Sequence, residues 1–378
     1  MQNKTVSTKP SHTKKIKKYF AFTIVILFTV CILFFSESPA KTIRRSLELC
    51  YSTVIPAVFP FMVISSFLIS IGGHNILGNF FSRPLRIIFG TSPSAACSVV
   101  LGFLCGFPIG ASSAYELYKK NEIESSELER LLMFVNNPSV AFAVGGVGLG
   151  LFNSRKVGQV LYIIVILSAV TVGVLSRLFY PQCTKKISLT YNEEDNISVF
   201  DSFTSSISSS ALNMLNVCAC VLFFSIPTAL ITELLAPLGV SQISSAFFAS
   251  FFEISGGVAA SASVKPSIIA IMLCAFALSW SGASVHLQVF SVCKGCDISF
   301  APYIFAKLFQ GALSSILAYM YFTFCEDISE LSFATGDISV KEGSQGFFFV
   351  IFIISLLVAL LARRHHSAYT DNEGGCIR

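Results

Sequence analysis

Only 12% of the 378 residues carry a charge, 53% are hydrophobic, and the mean hydropathy is +0.72. A soluble chain has about 25% charged residues; half that supply cannot cover a water-facing surface, so a soluble globular protein is excluded. The net charge of +5 is gathered largely at the two ends, which suits arms flanking a membrane and gives no reason to expect a nucleic-acid partner.

Residues 1–18 form a basic arm (Lys4, Lys9, Lys14, Lys15, Lys17, Lys18), and no acidic residue precedes Glu37. The apolar run 19–36 is longer than the usual 7–15-residue core of a secretory signal. It is expected to persist as the first crossing, with an interfacial linker to residue 50. Seven more crossings are expected over 51–71, 128–152, 157–179, 211–236, 266–290, 301–323 and 346–362, each near the 20 residues that one span needs. The predicted fold class is therefore an all-α polytopic membrane protein with about eight crossings.

Arg363, Arg364, His365 and His366 close the last run, so both ends are expected in the cytoplasm, as an even count allows. The linker 180–210, with Lys185 and Lys186, falls inside, and the acidic loop 324–345 falls outside. Arg44–Arg45 and Arg155–Lys156 then fall outside, against the charge rule.

Two apolar stretches, 94–117 and 244–264, fit poorly as crossings. Both are rich in Gly and Ser and break midway, at Gly106-Phe107-Pro108-Ile109-Gly110 and at Glu253-Ile254-Ser255-Gly256. A break frees backbone polar groups that protein or a water-filled cavity must satisfy, so each stretch is predicted to be a re-entrant helical hairpin. The following crossing is interrupted too, at Asn136-Asn137-Pro138-Ser139 and at Ser279-Trp280-Ser281-Gly282. Pro138 removes a donor and pushes Asn137 out of helical angles.

The order crossing, hairpin, broken crossing, crossing thus occurs twice, over 51–179 and 211–323. Gly110 precedes Pro138 by 28 positions and Gly256 precedes Gly282 by 26. Three crossings per unit invert the second relative to the first. The first unit has an extra stretch, 76–89, expected along the interface.

Paired interrupted segments are the best sequence pointer to a transporter site. Half-helix N-termini attract anions and half-helix C-termini attract cations. The candidate substrate-binding residues are Asn136, Asn137 and Ser139 at the first helix break, Gly110, Ser112 and Ser255 in the hairpins, and Ser281 and Ser284 at the second break. Glu253, His286 and Lys307 join them as intramembrane ionisable groups, which are costly unless paired or functional. Glu253 is read as a cation, proton or substrate ligand, or as a structural partner of Lys307; His286 as a titrating or a structural histidine.

Lys307 and the half-helix N-termini favour a small anionic solute. The coupling ion, Na+ or H+, and the oligomeric state stay open. The twelve cysteines lie mostly in apolar runs, and a lone Cys293-Lys294-Gly295-Cys296 is short of the four ligands of a zinc site. No metal or other cofactor is expected, and without HExxH or Gly-x-Ser-x-Gly no enzyme is expected either.

At GFPIGASSAYEL (106–117), NNPSVAF (136–142), FFEISGG (251–257) and SWSGASVHLQVF (279–290) the chain resembles the YlbJ group of sporulation integral membrane proteins. The run from Ser284 through His286 to Gln288, with Lys307 after it, is the most specific part and adds Gln288 to the candidates. The resemblance covers about residues 45–325. It implies a nucleoside-recognition (Gate) domain and a fold related to concentrative nucleoside transporters. It further implies a place in the outer forespore membrane and export of dipicolinic acid from mother cell toward forespore. Trp280-Ser281 departs from the group's small, glycine-rich residues. A nucleoside permease and a non-transporting assembly protein are the rival readings.

Overall fold

The computed structural model describes residues 12–34, 37–180, 198–265 and 267–325, and among these the chain is helical throughout, with no strand. The loop beyond Cys325 and the expected last crossing, 346–362, lie outside the described residues. Helix α1 (His12–Phe34) and α2 (Glu37–Leu49) lead through a short π-helix (Cys50–Val54) into α3 (Ile55–Ser70). Helix α4 (Gly73–Phe89) leaves α3 at 93°, so the stretch 76–89 does run across the direction of its neighbour.

The elements that follow are α5 (Ala95–Cys105), α6 (Ile109–Lys119), α7 (Ser125–Val135), a π-helix (Ala141–Leu149) continued by the turn α8 (Gly150–Phe152), and α9 (Arg155–Ser176). After α10 (Val199–Leu235) the order returns: α11 (Gln242–Phe252), α12 (Ile254–Ala262), α13 (Ser267–Trp280), α14 (Gly282–Val292) and α15 (Ala301–Phe324).

Both Gly/Ser-rich stretches fold back on themselves as helical hairpins. In the first, Ser98 Oγ lies 3.0 Å from Ser113 Oγ, and Gly102 faces Gly110 so closely that a Cβ on Gly110 would sit 2.9 Å from the Gly102 Cα. Residues at nearly equal distances on either side of Gly106 meet, which only an antiparallel hairpin allows. Gly106, at φ +83°, makes the reversal in a region that glycine enters without steric cost. In the second hairpin a Cβ on Gly257 would lie 2.6 Å from the Ser250 Cα, so the turn centres on Glu253.

The expected crossings are met in part. Among the described residues three helices are long and apolar enough to span: α9, α10, and α13–α14 taken together as Ser267–Val292; counting two sharply bent pairs raises this to five. The segment 128–152 is not one interrupted α-helix, because an extended stretch follows α7 and the second half is π-helical. Helix α10 has 37 residues and starts at Val199. The end of the expected linker is therefore helix, and at 1.5 Å per residue the whole helix is about 55 Å long.

The two units lock together along α9, α13 and α15. Ser314 Oγ on α15 lies 2.6 Å from Ser168 Oγ on α9 and 2.6 Å from Ser279 Oγ on α13, with all three side chains fully buried. Gly311 leaves room for the Phe276 ring, which a Cβ would approach to 2.9 Å. The Tyr162 hydroxyl donates to the Phe103 carbonyl and ties α9 to the first hairpin.

Candidate functional site

The geometry is best built from the four chain breaks. After α7, Asn136 turns extended (φ −96°, ψ 90°) and the helical ladder stops. The amide of Phe107, at the first hairpin tip, donates to the Asn137 carbonyl at 2.6 Å. A Cβ on Gly106 would collide with the Ser139 backbone, so the tip and the break are in direct contact.

The second unit repeats the arrangement with other chemistry. Ser281 and Gly282 take left-handed angles (φ 73° and 80°) between α13 and α14. A Cβ on Gly282 would lie 3.1 Å from the Glu253 amide nitrogen, so here too the break abuts the tip. Glu253 caps α12 with its own carboxylate: Ser255 N–H donates to Oε1 at 2.9 Å and Gly256 N–H to Oε2 at 2.6 Å.

All four breaks border one small cavity of about 50 Å³, room for a few waters by the measure of about 10–15 Å³ each. Its polar lining is Ser139, Glu253, Ser255, Ser284 and Gln288, and Phe107 and Phe142 are among its apolar walls. Gln288 Nε2 donates to Ser284 Oγ at 3.4 Å, and Gln288 Oε1 is buried without a hydrogen-bond partner. Glu253, Ser255 and Phe142 also line a cleft of about 1060 Å³ bounded by α2, α10, α12 and the π-helix 141–149. The cleft carries Arg45 and Glu233 and a polar stripe on α10 of Ser225, Thr228 and Thr232. On its π-helical wall a Cβ on Gly145 would meet nothing within 4 Å.

The other predicted residues form a closed polar knot beside the cavity. Lys307 Nζ donates to the Asn136 carbonyl and to Gln310 Oε1, both at 2.8 Å, and Gln310 Nε2 donates to Asn137 Oδ1 at 2.9 Å. His286 Nδ1 is 2.8 Å from the Tyr303 hydroxyl, to which Asn136 Nδ2 donates at 3.5 Å. Asn136, Asn137, Lys307 and Gln310 are fully buried. The alternative of a Glu253–Lys307 ion pair is thus corrected: the carboxylate accepts from backbone N–H groups of α12, and the amine donates to the Asn136 carbonyl of the other unit and to Gln310 on its own helix. Ser281 Oγ turns back to the Leu278 carbonyl. Gly110 serves helix contact, since a Cβ there would strike the Val135 carbonyl, and Ser112 Oγ is buried without a partner. Neither Gly110 nor Ser112 lines the cavity.

Several participants were not picked out from sequence. Tyr303 and Gln310 complete the knot, and Phe142, Gly145, Gly146 and the α10 stripe shape the cleft. The stripe has a readable signal, since Ser225, Thr228 and Thr232 follow helical i, i+3, i+7 spacing on one face. π-Helices are rare and cluster at functional sites, but they have no comparable pattern.

Residues 51–155 match the family model described as Gate, nucleoside recognition. The chain is also similar to the sporulation integral membrane protein YlbJ of Bacillus subtilis (strain 168), with 22% identity over 334 residues covering 80% of this chain and 82% of that protein. The resemblance carried by the break motifs is therefore borne out. No solved structure matches. Apolar spanning helices, together with similarity to an integral membrane protein, place this chain in a membrane.

Proposed function

We propose that the protein moves a small polar solute across a membrane during sporulation, binding it where the cleft meets the four chain breaks. One observation carries the reading: breaks from both units converge on a single, mostly apolar cavity lined in part by Ser139, Glu253, Ser255, Ser284 and Gln288, and a large cleft shares Glu253, Ser255 and Phe142 with it. Discontinuous helices near the midplane, drawn from two related units, are the arrangement that alternating access uses. On this reading the units are inverted repeats, and rocking one against the other exposes Glu253 and the serines to each side in turn. A non-transporting assembly protein leaves the duplicated breaks without a purpose.

The charge of the solute follows from what the cavity presents. Of the two expected anion anchors, Lys307 is closed off by Asn136 and Gln310, and the N-terminus of α12 already holds the Glu253 carboxylate. The serines, Gln288 and Glu253 suit an uncharged solute with hydroxyl or amide groups, as in a nucleoside. Dipicolinic acid, passed from mother cell to forespore, finds its cation in the cleft instead, at Arg45.

Uptake of radiolabelled uridine and dipicolinate into vesicles containing the purified protein tests both cargoes. Transport of either is expected to fall at least tenfold in Glu253→Gln with the protein still inserted. Unchanged uptake in that variant removes Glu253 from the mechanism, and no uptake of either solute favours the assembly role.

A further inference from the structure

Hydrogen bonds and helix length distinguish the two ends of the bundle. Just past the end of α9, Arg177 Nη1 donates to the Ile87 carbonyl at 2.8 Å and the Tyr180 hydroxyl donates to Glu129 Oε2 at 3.1 Å. At the same end Arg130 Nη2 donates to the Phe89 carbonyl at 2.8 Å, and Ser299 N–H donates to Glu129 Oε1 at 2.6 Å. Helix α9 has 22 residues, so at 1.5 Å per residue its start lies about 33 Å away. The cleft belongs to that far end. From Glu253, Ser255 and Phe142 it runs along the π-helix to Gly150 and Leu151, just before Arg155 opens α9, and along α10 to Glu233.

The opposite way out of the cavity is stopped. Helix α14 borders the cavity with Ser284, Val285 and Gln288 and then leads toward the loop that holds Ser299. Beyond Gln288 the Phe290 ring lies 4.1 Å from the Phe300 ring and 6.1 Å from that of Tyr303, between centroids, and Cys293 is 1% exposed. Outside this plug the bonds of Arg130 and Arg177 stay within the first unit, whereas Glu129 on α7 reaches across to Ser299 in the second. A hydrogen bond to a carboxylate is roughly twice as strong as a neutral one. Ser299 is exposed and Glu129 half-buried, so water can take over both partners when they part.

We propose that the protein stands open at the end where α9 starts and shut at the end where α9 finishes, and that the Glu129–Ser299 bond between the units is the clasp of the shut end. The gating rests on the transporter reading above and gives it a direction. Solute reaches the cleft from one face, and passes to the other only after α7 and the α14–α15 loop separate. The serine bridge of α9, α13 and α15 lies between the two ends and is the pivot.

Cysteines report on each region. In backgrounds that keep a single cysteine, Cys293 marks the shut end, Gly145→Cys marks the cleft, and Cys274, 0% exposed on α13, marks the core. A membrane-impermeant maleimide is expected to label Gly145→Cys quickly from one face of the vesicle and Cys293 slowly from the other. Glu129→Leu is expected to raise the Cys293 rate about tenfold or more, as local opening of a buried site does, with Cys274 unchanged. Glu129→Gln keeps an acceptor oxygen for the Ser299 amide and should restore the slow rate. Labelling of Gly145→Cys and Cys293 from the same face overturns one-sided access. An unchanged Cys293 rate in Glu129→Leu, or an equal rise at Cys274, overturns the clasp.

A cross-link tests the gate during transport. Glu129→Cys with Ser299→Cys, joined by a short reducible cross-linker, is expected to stop uptake of uridine and dipicolinate, and reduction to restore it. Uptake at the unlinked rate while the link is in place overturns the gate. No uptake of either solute by the wild type overturns the transport reading instead, and the labelling pattern still decides which end is open.

Discussion

The two hairpins share a plan and differ in what holds them. The first is fixed by shape: α5 is buried on most sides, and the backbones of α5, α6 and α7 meet at Gly102, Gly110 and the Val135 carbonyl. Its tip is tied to the next break by a backbone hydrogen bond, Phe107 N–H to the Asn137 carbonyl. The second hairpin exposes Phe247 and Phe248 on α11, borders the open cleft, and is held at its turn by the Glu253 carboxylate. Glycine lets the two arms meet in both hairpins, but only in the first are both arms also packed against the carbonyl of Val135 in the next helix. A hairpin held by a carboxylate that also lines the cavity can exchange those hydrogen bonds for a solute's. Stability is not spread evenly over a fold, and the elements that move come from its less packed end. On the transport reading proposed above, the second hairpin is the element expected to move.

Identical substitutions on either side of this contrast give the largest effect. A leucine at Gly110 must displace the Val135 backbone, whereas a leucine at Gly145 enters the open cleft. Overpacking a tight core costs about 1–3 kcal/mol and more where backbone has to yield. Gly110→Leu is expected to abolish recovery of monodisperse protein on size-exclusion chromatography. Gly145→Leu is expected to be recovered normally while blocking solute entry. Comparable recovery of the two proteins breaks the comparison.

Cysteine labelling sharpens it at smaller scale. Ser255 faces both the cavity and the cleft, and Ser113 is 1% exposed in the first hairpin. In an otherwise cysteine-free background, Ser255→Cys is expected to react with a small water-soluble thiol reagent at least tenfold faster than Ser113→Cys. Solute should protect only the former. Equal rates would mean that both hairpins open alike.

The sequence made the existence of the breaks legible and left the direction of their side chains hidden. Gly106, Pro108 and Pro138 interrupt helices through rules that act within a few residues, so the hairpins and the first break could be read locally. Which way Asn136, Asn137 and Ser139 point depends on a single extended stretch after Val135, whose angles are set by the Phe107 and Lys307 contacts from elsewhere in the chain. The candidate set was therefore divided by tertiary packing: Ser139, Glu253, Ser255, Ser284 and Gln288 line the cavity, while Asn136, Asn137, His286 and Lys307 close the knot. The cap at Glu253 was hidden for another reason. Glutamate is outside the favoured Ser, Thr, Asp and Asn set at a helix start, and only the turn geometry brings its carboxylate back onto Ser255 and Gly256.

The smallest effect probes the ground on which both hairpins rest. If α9, α13 and α15 form a common spine, its serine bridge should matter for stability and be indifferent to solute. Ser314→Ala removes the hydroxyl shared with Ser168 and Ser279 and leaves both near-neighbours their own rotors, and Ser168 keeps its bond to the Val165 carbonyl at 2.8 Å. The loss should then be close to that of one or two neutral hydrogen bonds, about 1–2 kcal/mol. It should appear as a lower unfolding midpoint in detergent, with the affinity for solute unchanged. A shift in affinity without one in stability would mean that the spine itself moves, and the contrast between a fixed and a movable hairpin would have to be redrawn around α15.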